Sequence, residues 1–408
     1  MSSRKLSLGV KIFIAMILGI VVGIIAYQLG WASYTTTYLK PVGTIYINLL
    51  KFIVVPVVLF SIVTGVVALK DLRRVGSIGG KTFVYYICTT AIAIIIGLFF
   101  ANVFKNLGWF PKLETTDLVY EAKSSDLSKV IVNIFPSNIL SPLVNADMLP
   151  LIVIALFLGA GILSAGEAGQ RVGSLISDMN DVTMKILMMI IGFSPIGVFA
   201  LMVDVVAVNG AAIVGSLALV LLVAYIAYIV HVVVVYGLSV KFLSKMSPVA
   251  FVKGMSSAMI TAFTTTSSSA TLPLTIECSN NLGALPEVSS FVLPLGATIN
   301  MDGTAIYMGV TSIFIASCYG VDLTLAQMAT IVLTATIASI GTAGVSGAGM
   351  IMLAMVLESV NLPVAGIALI AGVDKIFDMG RTTLNITGDA TCAMWISRLE
   401  KEKMAKKE

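Results

Sequence analysis

The amino-acid sequence predicts an all-α integral membrane protein, and three observations carry that reading. Of 408 residues, 58% are hydrophobic and 11% charged, with a mean hydropathy of +1.02, above the usual range for a water-soluble domain of this length. Apolar runs long enough to cross about 30 Å of hydrocarbon follow one another from residue 8 onward. Positive charges gather in a few of the segments between those runs instead of spreading evenly.

The first run, Leu8 to Ala26, holds one charge, Lys11, and ends without a small-residue cleavage site, so it is read as a retained span. Five more follow, at about 41 to 69, 80 to 105, 130 to 165, 174 to 208 and 212 to 240. Pro56, Pro136, Pro142, Pro150 and Pro195 interrupt them. Such breaks persist in a membrane where neighbouring protein or water satisfies the freed backbone groups, so bent or segmented helices are expected. Arg4 and Lys5 precede the first run, Lys70, Arg73, Arg74 and Lys81 crowd one loop, and Lys241, Lys245 and Lys253 another. These segments are assigned to the cytoplasm, and six crossings from a cytoplasmic N-terminus return the chain there at residue 241. Residues 112 to 129 mix Glu114, Asp117, Glu121 and Asp126 with three lysines, which suits the outer side. No charge pattern resembles a nucleic-acid footprint. Cys88, Cys278, Cys318 and Cys392 lie far apart without a CxxC pair, so packing is expected of them and neither a disulfide framework nor a zinc site.

After residue 250 polar tracts of small residues break the apolar sequence: TTTSSSAT at 264 to 271 and SIGTAGVSGAG at 339 to 349. Each precedes an apolar stretch carrying charge, NMDGT at 300 to 304 and DMGRTTLNITGD at 378 to 389. Ser268 to Asp302 and Gly344 to Asp378 are both 34 residues, a half-repeat. Interrupted hydrophobic segments in corresponding places point to a binding site near the membrane midplane.

In the last stretch, Asp374, Asp378, Arg381, Asn385 and Asp389 are separated by 4, 3, 4 and 4 residues, one face of one helix. Charge at membrane depth is costly, so this face is expected to look toward protein, water, ions or substrate. A purely structural ion network is the competing reading, and it leaves Asp389 unmatched. A carboxylate with neighbouring amide and carbonyl oxygens suits a hard cation. Asn300, Asp302 and Thr304, preceded by Pro294, Gly296 and Thr298, form a second constellation, where a helix break would free carbonyl oxygens for a cation. The competing reading there is a hydrogen-bonded kink without ligand. The two small-residue tracts are expected to be hairpin tips offering N–H groups and hydroxyls to a carboxylate. GSIGGKT at 76 to 82 lacks the first glycine of a phosphate-binding loop, which is Val75 here, and is read as a flexible basic loop. His231, the single histidine, is assigned to helix packing ahead of a proton relay. Asn385-Ile-Thr fits a glycosylation pattern but lies in the proposed binding helix. Lys51 and Asp204 are placed near helix ends, to snorkel or pair.

The tracts TSSSATLP, LPLGATINMDGT, ASIGTAGVSGAG and DMGRTTLNITGD, in this order and spacing, resemble the glutamate-transporter family of dicarboxylate/amino acid:cation symporters over nearly the whole chain. The resemblance implies eight transmembrane segments plus two re-entrant helical hairpins, with inverted repeats, in a homotrimer. Residues 1–77 would be scaffold segments one and two, 78–107 transport-domain segment three, 108–208 an outer loop with scaffold segments four and five, and 209–408 the rest of the transport domain. Its hairpins would lie at about 248 to 281 and 325 to 359. The function implied is sodium-coupled import of an acidic amino acid, aspartate or glutamate, across a prokaryotic inner membrane by alternating access, with both termini cytoplasmic. It implies a carrier embedded in lipid, not an enzyme. A proton-coupled dicarboxylate or neutral amino-acid carrier, or an anion channel, is the alternative.

By the same resemblance Arg381 holds the substrate's side-chain carboxylate and Asp378 its amino group. Thr382, Asn385, Ser268 and Val345 would hold its main-chain carboxylate, Thr304 would lie beside the side chain, and Asp374 would orient Arg381. Sodium would be held by Asp389, Asn385 and carbonyls near Asn300 and Gly296, by Thr298 with Ser339, Ile340 and Thr342, and by Tyr86, Thr89, Thr90, Asn300 and Asp302. The positions at which many relatives carry an additional arginine are Thr266 and Met379 here, Met308 replaces the glutamate of proton-coupled animal relatives, and Ser346 a common proline.

Overall fold

The structure, a computed structural model, describes residues 8–68, 77–112, 132, 135–145, 148–210, 212–339 and 348–405. The described residues are helical, without a strand. In chain order the helices are α1 (Leu8–Gln28), α2 (Ala32–Tyr38), α3 (Lys40–Ala68), α4 (Ser77–Asn106), α5 (Leu140–Asn145), α6 (Met148–Ser164), α7 (Gly166–Gly192), α8 (Ser194–Asn209) and α9 (Ala212–Val230). Then come α10 (Pro248–Thr265), α11 (Ser268–Asn281), α12 (Pro286–Ile299), α13 (Asp302–Cys318), α14 (Leu325–Ala338), α15 (Ala348–Ser359), α16 (Ile367–Ala371) and α17 (Asp374–Met404). Helix α9 runs on into two π-helical turns, His231–Tyr236 and Ser239–Leu243.

Four of these stretches have both the length and the hydropathy to cross a membrane: Val10–Gln28, Ile78–Asn106, Ile213–Leu243 and Pro286–Cys318. The stretch expected at 174 to 208 is instead two helices, α7 and α8, which meet at Phe193 with a bend of 47° and make a fifth if counted together. Pro195 stands in the first turn of α8, where its missing N–H costs nothing. Pro56 lies inside α3 without ending it. Residues 77–82, expected as part of a flexible loop, form the first turns of α4, while Gly76, Lys70, Arg73, Arg74 and most of 112 to 129 lie outside the described residues.

Two packing groups emerge. Helix α1 lies along α8, and α3 packs against α6, α7 and α8. A Cβ on Gly19 or Gly23 of α1 would come within 2.7 Å of Met202 or Val206 of α8. The GxxxG spacing therefore lets two backbones approach closely, as packing within lipid requires. In the second group α4 and α9 pack on α13, α12 and α13 pack on α17, and α10 packs on α11 and α17. Every residue of α13 is buried, so this helix is the axis around which the second group is built. Outward faces of the first group carry large exposed apolar side chains, among them Phe52, Phe157, Met189 and Ile196, which a hydrocarbon surrounding does not penalise.

Candidate functional site

Helix α17 turns the predicted face inward: Asp374, Asp378, Arg381, Asn385 and Asp389 are all buried, each 4% exposed or less. Arg381 donates from Nε to Asp378 Oδ1 at 2.9 Å, and from Nη1 and Nη2 to the two oxygens of Asp374 at 3.1 and 3.3 Å. Its guanidinium lies over the Tyr307 ring, 4.7 Å from the centroid. A guanidinium has five N–H groups, so these bonds leave one on each terminal nitrogen. Thr382 donates to Asp378 Oδ1 at 3.4 Å. On α15, a Cβ at Gly349 would fall on the guanidinium itself, and on α13 a Cβ at Gly303 would meet the Arg381 backbone. Glycine at 349 thus serves a close approach between α15 and the Arg381 side chain.

The chain leaves helical geometry at Asn300 and Met301, between α12 and α13, as the NMDGT motif predicted. The last carbonyls of α12 and first N–H groups of α13 have no intrahelical partners there. Side chains fill part of the gap. Asn300 Nδ2 donates to Asp389 Oδ1 at 2.9 Å and to the Asn385 carbonyl at 3.0 Å, while Asn385 Oδ1 accepts from the Gly303 N–H at 2.8 Å. Asn300 Oδ1 is buried without a donor among the described residues. A Cβ on Gly296 would collide with Asp389 Oδ1 and the Tyr86 hydroxyl, which brings those two groups to one place. An all-oxygen set of carboxylate, amide and hydroxyl with an unpartnered acceptor has the chemistry of a hard-cation site.

Asp302, 0% exposed, opens α13. Thr90 of α4 donates to its Oδ1 at 2.6 Å, and Tyr236 and His231 approach Oδ2 at 2.7 and 3.1 Å. His231 is therefore buried between helices and is also a polar partner of a candidate cation ligand. Tyr86 and Thr89 spend their hydroxyls on the Val292 and Tyr86 carbonyls, at 3.1 and 3.2 Å. Thr304 is buried beside Met301, whose sulfur is 3.8 Å from its hydroxyl.

Helices α10 and α11 meet at a two-residue turn, Thr266–Ser267, with Thr266 in the left-handed region at φ 54°. A β-branched residue is strained there, and such strain collects at functional sites. Ser267 caps α11 by accepting from the Ala270 N–H at 3.2 Å, and Ser268 is buried in its first turn. Thr266 donates to the Thr265 carbonyl at 2.6 Å and accepts from Lys375 of α17. A cation thus stands against the place where many relatives carry their additional arginine, which sequence reading had treated as a loss.

Of the second sodium group, Thr298 is exposed and donates to the Leu295 carbonyl at 2.9 Å, and Ser339 is buried and donates to the Thr336 carbonyl at 2.7 Å. Ile340, Thr342 and Val345 lie outside the described residues. Asp204 sits within α8 and accepts from Thr36 and Thr35 at 2.8 and 3.4 Å, a structural pairing. Sequence reading passed over Tyr236, Tyr307 and Lys375. The available signal was polar or cationic residues standing in or beside apolar helices, with no motif to rank them.

Comparison with known proteins gives a consistent picture. Residues 8–399 match the Sodium:dicarboxylate symporter family. The chain is 36% identical over 405 residues to a proton/sodium-glutamate symport protein of Geobacillus stearothermophilus, covering 97% of this chain and 95% of that one. It is 33% identical over 413 residues to the proton/glutamate-aspartate symporter of Escherichia coli (strain K12), covering 98% and 94%. A C4-dicarboxylate transport protein of Bacillus subtilis (strain 168) is 31% identical over 403 residues, covering 97% and 94%.

Proposed function

The chain belongs to the sodium:dicarboxylate symporter family, and from that premise we propose that it imports aspartate or glutamate together with sodium by alternating access. One observation carries the choice of substrate: buried Arg381, with two N–H groups beyond those its aspartates take, stands beside the carboxylate of Asp378. The guanidinium can read a side-chain carboxylate, and Asp378 can accept from an α-amino group. A C4-dicarboxylate without an amino group would leave Asp378 facing a second carboxylate. Ser268 with the N-terminal turn of α11, Thr382, Asn385 and Val345 would receive the main-chain carboxylate, and Thr304 would lie beside the side chain. Lys375 adds positive charge at the turn that faces this place.

Sodium is the co-transported ion in this reading. The unpartnered Asn300 Oδ1 beside Asp389, with the carbonyl of Gly296, favours it for one site, and Asp302 with Thr90 for another. Thr298, Ser339, Ile340 and Thr342 would complete a third. Bringing an anion to this depth needs compensating cations, so the two bind with a favourable coupling free energy.

The first packing group, α1, α3 and α6 to α8, is the scaffold and trimer-forming part, and the second moves across the membrane of the cell with its cargo. The pairs α10/α11 and α14/α15 are its two re-entrant hairpins, and both termini are cytoplasmic. Uptake of radiolabelled aspartate into proteoliposomes under an inward sodium gradient, with competition by glutamate, succinate and serine, tests this. Equal uptake under a proton gradient without sodium, or competition by succinate ahead of glutamate, overturns it.

A further inference from the structure

We infer that the π-helical turn after α9 is a device that aims one carboxylate at a cation: His231 and Tyr236 are positioning residues for Asp302. Resting on the sodium-symport reading, this adds two residues and one helix irregularity to it. The geometry starts from the turn. In an α-helix residues five apart are about 140° out of line, so a histidine and a tyrosine at that spacing face different neighbours. The i→i+5 bonding of a π-turn brings them onto one side. Here the turn spans His231–Tyr236, and the two rings meet edge to face with centroids 4.7 Å apart. Both polar atoms converge on the same oxygen, Asp302 Oδ2, at 3.1 and 2.7 Å.

All three residues are 1% exposed or less, and the low dielectric of such a place strengthens these bonds. His231 Nδ1 has no hydrogen-bond partner among the described residues, so the ring proton is assigned to Nε2, where it is donated to Asp302. With Oδ2 held from α9, the carboxylate cannot rotate. Oδ1 is then fixed on the side of Thr90, 2.6 Å away, with acceptor capacity remaining for a cation. The turn is buried only at its two ends, His231 and Tyr236, and their convergence on Asp302 accounts for the departure from a regular helix.

The test is sodium titration of the purified protein, read as the rise in thermal unfolding midpoint against choline at constant ionic strength, alongside the sodium dependence of aspartate uptake. Tyr236→Phe removes one hydroxyl with little change in shape, and His231→Leu removes the other donor. Each is expected to raise the half-saturating sodium concentration about tenfold in both readouts, the loss of one hydrogen bond to a buried charge. The aspartate KM at saturating sodium stays near that of wild type. His231→Gln, which can again present an N–H, moves the titration back toward wild type. Should His231→Leu fail to fold, Tyr236→Phe decides alone. A wild-type sodium titration in Tyr236→Phe, or a loss of stability equal with and without sodium, overturns the inference alone. Absence of any sodium response in wild type overturns the symport reading and this inference with it.

Discussion

Arg381 is held by two aspartates and capped by a tyrosine ring, which fixes its fork without exhausting its donors. Replacing it by cysteine leaves an acidic side chain unpaired in a buried pocket and makes room for a small neutral one. Arg381→Cys is therefore expected to lose more than about tenfold in affinity for aspartate and glutamate, the worth of a charged hydrogen bond. Serine or cysteine should become competitors, with sodium dependence kept; competition uptake measures both. Gly349 probes the same fork from the opposite wall, since its Cβ would displace the guanidinium. Gly349→Ala is expected to weaken binding of acidic substrates by moving the guanidinium, and to cost about 1 to 3 kcal/mol of stability as overpacking, while sodium still stabilises the protein. A titration of aspartate against thermal stability separates that outcome from global unfolding. Lys375, bonded to Thr266, ties α17 to the turn between α10 and α11. Lys375→Met should weaken aspartate binding and leave its sodium dependence in place.

At the scale of elements, the break between α12 and α13 sets Asn300, which donates to Asp389 of α17, two residues before the second carboxylate, Asp302. Asparagine at either position keeps the shape and removes the charge. Asp302→Asn and Asp389→Asn are expected to raise the sodium requirement at least tenfold each and, by linkage, to raise the aspartate requirement at low sodium. Sodium-dependent thermal shifts check the first effect and aspartate titrations at two sodium concentrations the second. Helices α10 and α11 have 18 and 14 residues, about 27 and 21 Å, so neither reaches across a bilayer by itself. Their turn, buried at Thr266 and half-buried at Ser267, is a natural place for a ligand to meet backbone N–H groups. The helix break and the Thr266–Ser267 turn were both legible in sequence, because glycine, proline and clustered hydroxyls interrupt apolar runs locally. The π-turn was not. It replaces one apolar helix with another of different pitch, and no residue in the run His231 to Tyr236 forbids either.

Across the whole molecule, the two packing groups touch at several places, among them where the α16–α17 junction meets α8, with Gly372 against the side chain of Met202. If the second group moves as a unit, this contact must part in each cycle. Cysteines at Gly372 and Met202, in a protein whose four native cysteines are replaced, are expected to crosslink and stop uptake. Sodium-dependent aspartate binding should persist, and a reductant should restore uptake. Full uptake in the crosslinked protein would place the moving boundary elsewhere. The exposed apolar faces of α3, α6, α7 and α8 lie in the group proposed as the static part.

The sequence by itself determined that the chain is helical and membrane-embedded, which carboxylates and arginine share a face of the last helix, and where the helix before it breaks. Those properties follow from local composition and a fixed helical period. Only the tertiary structure decided what each polar group faces. It set Arg381 between Asp374 and Asp378, brought Asn300 to Asp389 across 89 residues, and turned His231 and Tyr236 onto Asp302 across 71 and 66. Such pairings depend on how helices distant in the chain are rotated against one another. In a long apolar run nothing local records that rotation, because every face is apolar enough to be buried.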